Sequence, residues 1–314
     1  MGLELQSAMS DLERSENRTL MKVTRLTTAL AVGVVFVVAG TAAEAGTVSL
    51  GGAANYAILG TGGSVNFSEF EVYQSGTVVN GNIGVGPHSQ LTHNIDALIN
   101  GNFDYDLTST LNGKTTTGVQ GTVNQIDMSG TAADARSAST TAAGLAPTQT
   151  FATLAEDQVI VGASGLNVIR ITGDVSLKRT LTLQGTSTSE FVFQFTSSTT
   201  DGHDVLNLSG MTMYLNGGVV ADNIFWNLNG LGGGINITSG SVVHGNFLAP
   251  DRDILGDHAN VAGRLIGGGS GNKLSVHSTS MVTSPPVSVP DGGSTVALAG
   301  LALTLLGVAK RFLN

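Results

Sequence analysis

The sequence predicts an all-β fold: an irregular β-solenoid, a parallel β-helix of stacked strands, with one long α-helix packed alongside. Three observations lead to this prediction: short runs of alternating apolar and polar residues, a five-residue phrase that recurs about every 20 residues, and one alanine-rich segment. The 314 residues include 43 glycines and are 41% hydrophobic, which is enough for a sizeable core. A chain that is disordered throughout is therefore excluded.

The alternating runs lie in the middle of the chain and are mostly five residues or shorter. Alternation with a period of two places every second side chain on one buried face, which is the pattern of a β-strand. Glycine, asparagine, serine and aspartate separate the runs and supply the turns that frequent chain reversal requires. The clearest predicted strands are 168–171, 175–177, 181–183, 191–195, 206–208, 235–237 and 274–276.

A phrase of the form apolar, any, glycine, any, apolar recurs around Gly81, Gly101, Gly245 and Gly263. The first two glycines are 20 residues apart and the last two are 18 apart. Such a period is typical of solenoids, in which each rung buries the apolar face of its neighbour. Glycine in the fixed slot predicts a corner with positive φ or a close approach to the next rung, and the adjacent asparagines predict hydrogen bonds along that corner. Two alternatives are chance recurrence and a β-sandwich, which explains the alternation but not the spacing.

One segment breaks the strand pattern. Residues 124–146 are rich in alanine and contain no proline, which predicts a helix over about 129–144. Its small alanine face would pack closely along the solenoid, with Asp134 and Arg136 pointing outward. A solvent-facing linker helix is the alternative.

Composition limits the classes of function. The formal net charge is −9, so nucleic acid is a poor candidate partner. The chain contains no cysteine, which excludes disulfides and metal sites built on thiolates. Stability must therefore come from packing and backbone pairing.

The N-terminal part, residues 1–45, is predicted to be an extension and a signal peptide rather than part of the fold. A basic start precedes an apolar run over 29–39, and small residues follow at Ala43 and Ala45. This order is typical of a secretory signal that is cut after Ala45. The solenoid domain is then expected to span 46–283.

The C-terminal part, 284–314, is predicted to carry a second targeting signal. It consists of a linker, a short motif, an apolar stretch and a basic end: Val289, Pro290, Asp291, 296–309, Lys310 and Arg311. An apolar run before basic residues favours retention in the inner membrane, although it is shorter than the ~20 residues of an ordinary span. The whole resembles the PEP-CTERM group of bacterial sorting tails, in its Val-Pro-Asp variant. This resemblance implies recognition by an exosortase-type membrane protease, removal of the tail and delivery to the cell surface or exopolysaccharide matrix; a tail that stays as an anchor is the alternative.

Several short motifs in a fixed order carry a second resemblance. The most specific are IFWN at 224–227, GNFLAP at 245–250, GRLI at 263–266 and HS at 277–278. Their order resembles the bacterial ice-binding-like adhesive domain, also called choice-of-anchor A, over nearly all of 48–280. The resemblance implies an irregular, right-handed β-solenoid with a long helix along it, carried by secreted and surface-anchored proteins and related in fold to ice-binding proteins. It implies no catalytic residues.

Few residues suggest catalysis or metal binding. The sequence has no Gly-x-Ser-x-Gly nucleophile elbow, and its six histidines lack the spacing of a zinc site. Asp251, Asp253 and Asp257 form the strongest acidic cluster, which fits a weak Ca²⁺ site or the carboxylates of a carbohydrate-active enzyme. A polar turn between rungs is the favoured interpretation. The loop around Asp201 and His203 has the same weak cation potential.

Ice binding would require a flat array of hydroxyl and methyl groups. Thr180, Thr182 and the run 115–117 are small pieces of such an array. Threonine on the outer face of a strand is also an ordinary β preference, so these pieces indicate the activity only weakly.

The sequence therefore predicts a secreted structural or adhesive protein without enzyme activity or cofactor, sorted to the bacterial surface or matrix. The expected partners are the exosortase-type protease, extracellular polysaccharide or another surface, and further copies of the chain, because uncapped solenoid ends expose strand edges. The C-terminal helix is expected to anchor the chain in the membrane only transiently. The alternatives are an ice-binding protein and a carbohydrate-active enzyme that uses Asp251, Asp253 and Asp257.

Overall fold

A computed structural model describes residues 48–63, 67–197 and 204–284. The described part contains one α-helix, α1 (Ser129–Gly144), and two short 3-10 helices at Gly51–Asn55 and Ala221–Asn223. The strands are β1 (Tyr56–Gly60), β2 (Ser68–Val72), β3 (Val78–Asn80), β4 (Asn82–Val85), β5 (Ser89–Leu91), β6 (Leu98–Ile99), β7 (Phe103–Asp106), β8 (Val123–Ile126), β9 (Gln149–Phe151), β10 (Gln158–Val161), β11 (Gly165–Ile171), β12 (Val175–Leu177), β13 (Thr180–Gln184), β14 (Ser189–Phe195), β15 (Leu206–Ser209), β16 (Thr212–Asn216), β17 (Ile224–Asn227), β18 (Ile235–Thr238), β19 (Val242–Ala249), β20 (Ile254–Asp257), β21 (Asn260–Gly267), β22 (Lys273–His277) and β23 (Met281–Thr283).

The strands stack in parallel as three columns, which confirms the predicted β-solenoid. The helix face stacks in the order β8, β7, β4, β1, β21, β19, β17, β14, β11, β9. The open face stacks as β10, β13, β16, the first parts of β19 and β21, β23, β3 and β6, and the polar face as β12, β15, β18, β20, β22, β2 and β5. With about 4.8 Å between neighbouring strands, ten strands make the helix face about 43 Å long. The handedness of the solenoid stays a prediction.

The stacking order differs from the chain order. The first rung, β1 and β2, lies in the middle of the stack, where β1 pairs with both β4 and β21. From there the chain builds rungs outward to β8, returns through α1 to β9 at the far end, and stacks back until β23 pairs with β3. We call the contact between β1–β3 and β21–β23 the junction. It joins the two ends of the domain without a chain connection.

The recurring glycines lie at the corner between the open face and the helix face. At Gly81, Gly245 and Gly263 the backbone has positive φ, and a Cβ at Gly263 would lie 1.8 Å from the carbonyl oxygen of Gly245. At Gly101 a Cβ would lie 2.4 Å from the carbonyl oxygen of Gly81. Both predicted reasons for glycine, an unusual φ and a close approach between rungs, are therefore confirmed.

The asparagines beside these glycines form the predicted hydrogen bonds along the corner. Asn100 Nδ2 donates to Asn80 Oδ1 over 2.9 Å, and the backbone N–H of Asn102 donates to Asn82 Oδ1 over 2.9 Å. Each bond joins one rung to the next, so the corner adds polar contacts to the backbone pairing.

The interior contains a column of stacked aromatic rings. Trp226 is buried between Phe193, with ring centroids 4.1 Å apart, and Phe247, with centroids 5.8 Å apart. The indole N–H donates to the carbonyl of His244 over 3.0 Å. These rings come from β14, β17 and β19, which are successive rungs of the chain.

Helix α1 spans the predicted residues and packs through its alanine face. Ala132, Ala135, Ala138 and Ala142 are buried against the outer side of the helix face. The prediction that Arg136 points outward is wrong. Its guanidinium lies against the solenoid, where it pairs with Asp251 at 3.1 Å and donates to the carbonyl of Gly62 over 2.7 Å. The neighbouring Asp134 is exposed, but it accepts the N–H of Gly52.

Candidate binding faces

Helix α1 covers one side of the solenoid, and no other helix of the described residues covers the other two faces. Two buried polar pairs fix the helix in place: Asn227 with Ser139, and Gln194 with the carbonyls of Ala142 and Leu145. The open face and the polar face are therefore the extended surfaces that the described residues offer to a partner.

The open face carries no charged residue on its strands. Every second side chain points outward, and these residues are Val78, Asn80, Leu98, Val159, Val161, Thr180, Thr182, Gln184, Thr212, Tyr214, Asn216, Val242, His244, Asn260, Ala262, Met281 and Thr283. Burial lowers the pKa of His244, against a bond to the Met213 backbone that raises it, so the imidazole is neutral at pH 7. The face is thus a mixture of apolar, hydroxyl and amide groups.

The threonines of the open face form a small patch. Thr180 pairs with Thr212 on the next rung, and Thr182 lies two residues along the same strand. Tyr214, which is 51% exposed, stands in the same outward row as Thr182 and interrupts the patch. Residues 115–117, the other predicted threonine piece, lie in a loop rather than on a strand.

The polar face holds a buried carboxylate at the junction. The side chain of Glu71 is 5% exposed, and its Oε2 is 2.7 Å from the ammonium of Lys273. Thr92 and Ser275 donate to the same carboxylate over 2.7 and 2.8 Å, and His93 Nε2 lies 3.4 Å away. Strand β2 and strand β22 are thereby joined by charge as well as by backbone pairing.

The electrostatics of this pair favour both charged forms. Burial works to raise the pKa of Glu71, but hydrogen bonds from Lys273, Thr92 and Ser275 outweigh it and hold the pKa below its ordinary value. Burial likewise works to lower the pKa of Lys273, but the bond to Glu71 and the charge of Glu69 raise it above its ordinary value. The ion pair is therefore fully formed at neutral pH.

Rings and acidic groups continue this cluster along the polar face. Tyr73 stacks on His93 with centroids 4.2 Å apart and lies 5.1 Å from the ring of His277. His277 and His258 both contact Asp257 Oδ1, at 3.3 and 2.9 Å. Burial works to raise the pKa of Asp257, whereas a bond from Ser278 and the two histidines lower it overall.

A concavity of about 340 Å³ opens over the middle of the polar face. Its lining combines charged, aromatic and apolar groups and includes Glu71, Tyr73, Asp253, Leu255, Lys273 and His277. Leu255 is an outward residue of β20 and lies between Asn236 and Ser275 in the register of the face. It gives the concavity an apolar surface among polar neighbours.

The structure separates the three aspartates that the sequence grouped. Asp251 bonds Arg136 and Ser270 at the corner next to α1, whereas Asp253 accepts the backbone N–H of Lys273 over 2.6 Å. Asp257, at the other end of β20, contacts two histidines. Within the part of the chain that the structure describes, no group of three or more acidic or histidine side chains is arranged to hold a metal ion. The weak Ca²⁺ site that the sequence left open as an alternative to a polar turn stays untested.

The turn before β20 contains a buried cation that the sequence did not predict. Arg252 is 2% exposed, and its guanidinium donates to the carbonyls of Asn229, Gly230 and Gly233 over 2.9 to 3.0 Å. Burial lowers its pKa. The residue therefore holds the 229–233 loop in place and is not an exposed acid/base group.

Sequence reasoning also missed the cluster around Glu71 and Lys273, because these residues are far apart in the chain. A signal was present, since alternation in SEFEV puts Glu69 and Glu71 on one side of the strand, and alternation in KLSVH does the same for Lys273 and His277. What the sequence could not show is that the two strands are neighbours.

Some predicted sites lie outside the described residues. These are the signal cleavage site, the sorting tail and part of one acidic loop: Ala43, Ala45, Val289, Pro290, Asp291, Lys310, Arg311, Asp201 and His203. Among the residues that the structure does describe, no helix is both long and apolar enough to cross a membrane.

Comparison with known proteins assigns both the middle and the end of the chain. Residues 68–272 match the model of the ice-binding-like family, and residues 288–312 match the VPDSG-CTERM motif. A glycosylated ice-binding protein from an Arctic yeast matches with 24% identity and a TM-score of 0.50, over 78% of this chain and 97% of the other. An ice-binding protein from an Antarctic Flavobacteriaceae bacterium matches with 21% identity and a TM-score of 0.50, over 77% of this chain and 48% of the other. These likenesses show the fold, and no curated protein matches the sequence significantly.

Proposed function

Because the chain belongs to the ice-binding-like family and ends in a VPDSG-CTERM motif, we propose that it is an adhesive protein that binds extracellular polysaccharide without cleaving it. The sorting motif makes it an exported, surface-associated protein that is processed by a sorting protease-type system. Exopolysaccharide is then the extended polymer that its exposed surfaces meet first.

The proposal depends on one observation, the two bare faces beside the covered one. The open face offers hydroxyl, amide and apolar groups, and the polar face offers charged groups around a concavity. Such extended surfaces suit a polymer better than a small substrate. The separate partners of Asp251, Asp253 and Asp257 support binding without catalysis, because a glycosidase needs two carboxyl groups at a defined separation across the scissile bond.

Co-sedimentation tests this function. Residues 46–284, which contain every described rung, are mixed with exopolysaccharide from the producing bacterium and centrifuged. We expect the protein to pellet with the polymer in a saturable manner and to stay in solution when the polymer is omitted. Protein that remains in the supernatant at all polymer concentrations would contradict the proposal.

Ice binding is the second candidate, and the threonine patch on the uncharged open face favours it. Family membership supports it as well, since the matched structures are described as ice-binding proteins. Tyr214 in the row of Thr182 weighs against a large flat array, so we expect at most weak activity. Thermal hysteresis of residues 46–284, compared with a Thr182→Lys variant and a Ser176→Lys control on the polar face, tests this candidate. Equal activity in all three proteins would exclude the open face as the ice-binding surface.

A further inference from the structure

We propose that the concavity of the polar face binds an uncharged, hydroxyl-rich sugar unit of the polysaccharide. This inference rests on the proposed function and assigns it a site, a sugar class and the residues that make contact. The volume of about 340 Å³ falls in the ~300–1,000 Å³ range of small-ligand sites.

The lining groups match the chemistry of a sugar ring. Asp253 is exposed, and a carboxylate accepts several hydroxyl hydrogen bonds. Lys273 bonds Glu71 yet its side chain is 41% exposed, and an ammonium has three donors to share. Leu255, half-buried two residues along from Asp253 and next to Ser275, offers an apolar surface to the C–H groups of the ring. The hydroxyl and C–H groups of one sugar ring can make all three kinds of contact.

The charge around the concavity selects against acidic sugars. Glu69, Glu71, Asp253 and Asp257 lie in or beside it, and Lys273 is the cation among the lining residues. The charge of Lys273 is already balanced by the Glu71 carboxylate 2.7 Å away. A uronate would therefore bring a negative charge against an acidic surface, whereas a neutral sugar meets no such repulsion.

The position of the last described residue also favours this face. Ser284, the last described residue, bonds the carbonyl of Asn80 at the corner between the open face and the helix face, near the middle of the stack. The sorting motif begins only four residues later, at 288. In a three-sided solenoid the polar face lies opposite that corner, so the last described residue lies on the side away from the concavity.

Paired variants in the co-sedimentation assay test the site. Asp253→Asn keeps an acceptor for the N–H of Lys273 and removes the charge, and Leu255→Gln removes the apolar surface. Asp251→Asn, two residues from Asp253 but outside the lining, is the matched control. We expect about tenfold weaker retention for the first two variants and unchanged retention for the control. Maltohexaose, cellohexaose and N-acetylchitohexaose are added as neutral competitors, and hexagalacturonate as the acidic one.

The outcomes separate this inference from the proposed function. Release of the wild type by a neutral oligosaccharide but not by hexagalacturonate, together with the two losses, supports the site. Retention that is equal in wild type, Asp253→Asn and Leu255→Gln would overturn the site while leaving polysaccharide binding intact. Equal competition by hexagalacturonate would overturn the sugar class. A wild type that never pellets refutes the proposed function itself. Melting temperatures of all variants show whether a loss reflects unfolding.

Discussion

The junction and the aromatic column hold rungs together by different means. In the aromatic column, rungs that follow one another in the chain meet through Phe193, Trp226 and Phe247. At the junction, rungs from the two ends of the described sequence meet through polar pairs that each have a buried partner: Glu71 with Lys273, and Arg264 with the carbonyl of Ala54. Arg264 also bonds Asp222 and Asn246.

This difference follows from connectivity. Successive rungs are held near each other by a short chain segment. Apolar packing therefore needs only to stabilise the contact between them and does not have to select their register. The junction has no such segment and must select one register among many similar strand edges. Charged and hydrogen-bonded pairs penalise wrong registers because an unpaired buried charge is unfavourable. We infer that the column supplies mainly stability and the junction mainly specificity.

The largest expected effect comes from breaking the aromatic column. Trp226→Ala removes a fully buried ring and should lower the free energy of unfolding by about 3–5 kcal/mol, measured by urea denaturation. Tyr214→Ala, which removes a ring 51% exposed on the open face, is the control and should change it by about 0.5 kcal/mol or less. Similar losses in both variants would mean that the column is not the main source of stability.

A corner substitution should have the next largest effect. Gly263→Ala places a methyl group against the backbone of Gly245 at a φ of 153°, so we expect a loss of about 3 kcal/mol in the free energy of unfolding. Gly130, near the start of α1, has open space around it, and Gly130→Ala should be neutral or stabilise by up to about 1 kcal/mol. A Gly263→Ala protein as stable as wild type would show that the rungs are not closely spaced at this corner.

The junction should show a smaller and pH-dependent effect. The lowered pKa of Glu71 means that its stabilisation is present above the unfolded-state pKa of about 4.3 and is lost as pH falls through the folded pKa. The raised pKa of Lys273 describes the same pair, whose contribution is lost as pH rises above about 10.4. Glu71→Gln should therefore cost about 1–2 kcal/mol at pH 7 and less at pH 3. Urea denaturation at both pH values measures this, and a pH-independent difference would contradict the assignment.

The smallest effect is expected for the ion pair between helix α1 and the solenoid. Arg136 and Asp251 are 36% and 22% exposed, so water screens their attraction. Asp251→Asn should change the free energy of unfolding by about 1 kcal/mol or less, as measured by thermal denaturation. A loss as large as that of Glu71→Gln would show that helix docking, and not the junction, selects the register.

Much of the fold could be predicted because its signals are local. Alternation located strands such as β14 and β22, the alanine-rich segment located α1, and the glycine phrase located one corner. One rung is built from both ends of the described sequence and could not be found this way. Its open-face part is β23 and its helix-face part is β1, so no single stretch carries the phrase. The Glu71–Lys273 pair depends on that same rung arrangement.

The candidate site was predicted only in outline for the same reason. Asp253 was identified from a run of acidic residues, but its neighbours in space come from β18 and β22, and Arg252 in that run proved to be a buried structural cation. Local clustering in the sequence therefore indicated the loop that lines the concavity, but it grouped Asp253 with aspartates that have other partners in the structure.

The most direct test of the account is one mixture that reports binding and cleavage together. Residues 46–284 are incubated for hours with exopolysaccharide from the producing bacterium, and retained protein and newly formed reducing ends are measured in the same tube. We expect saturable retention with no increase in reducing ends over the polysaccharide alone. Reducing ends that increase with protein concentration would contradict it and place a catalytic site in the solenoid.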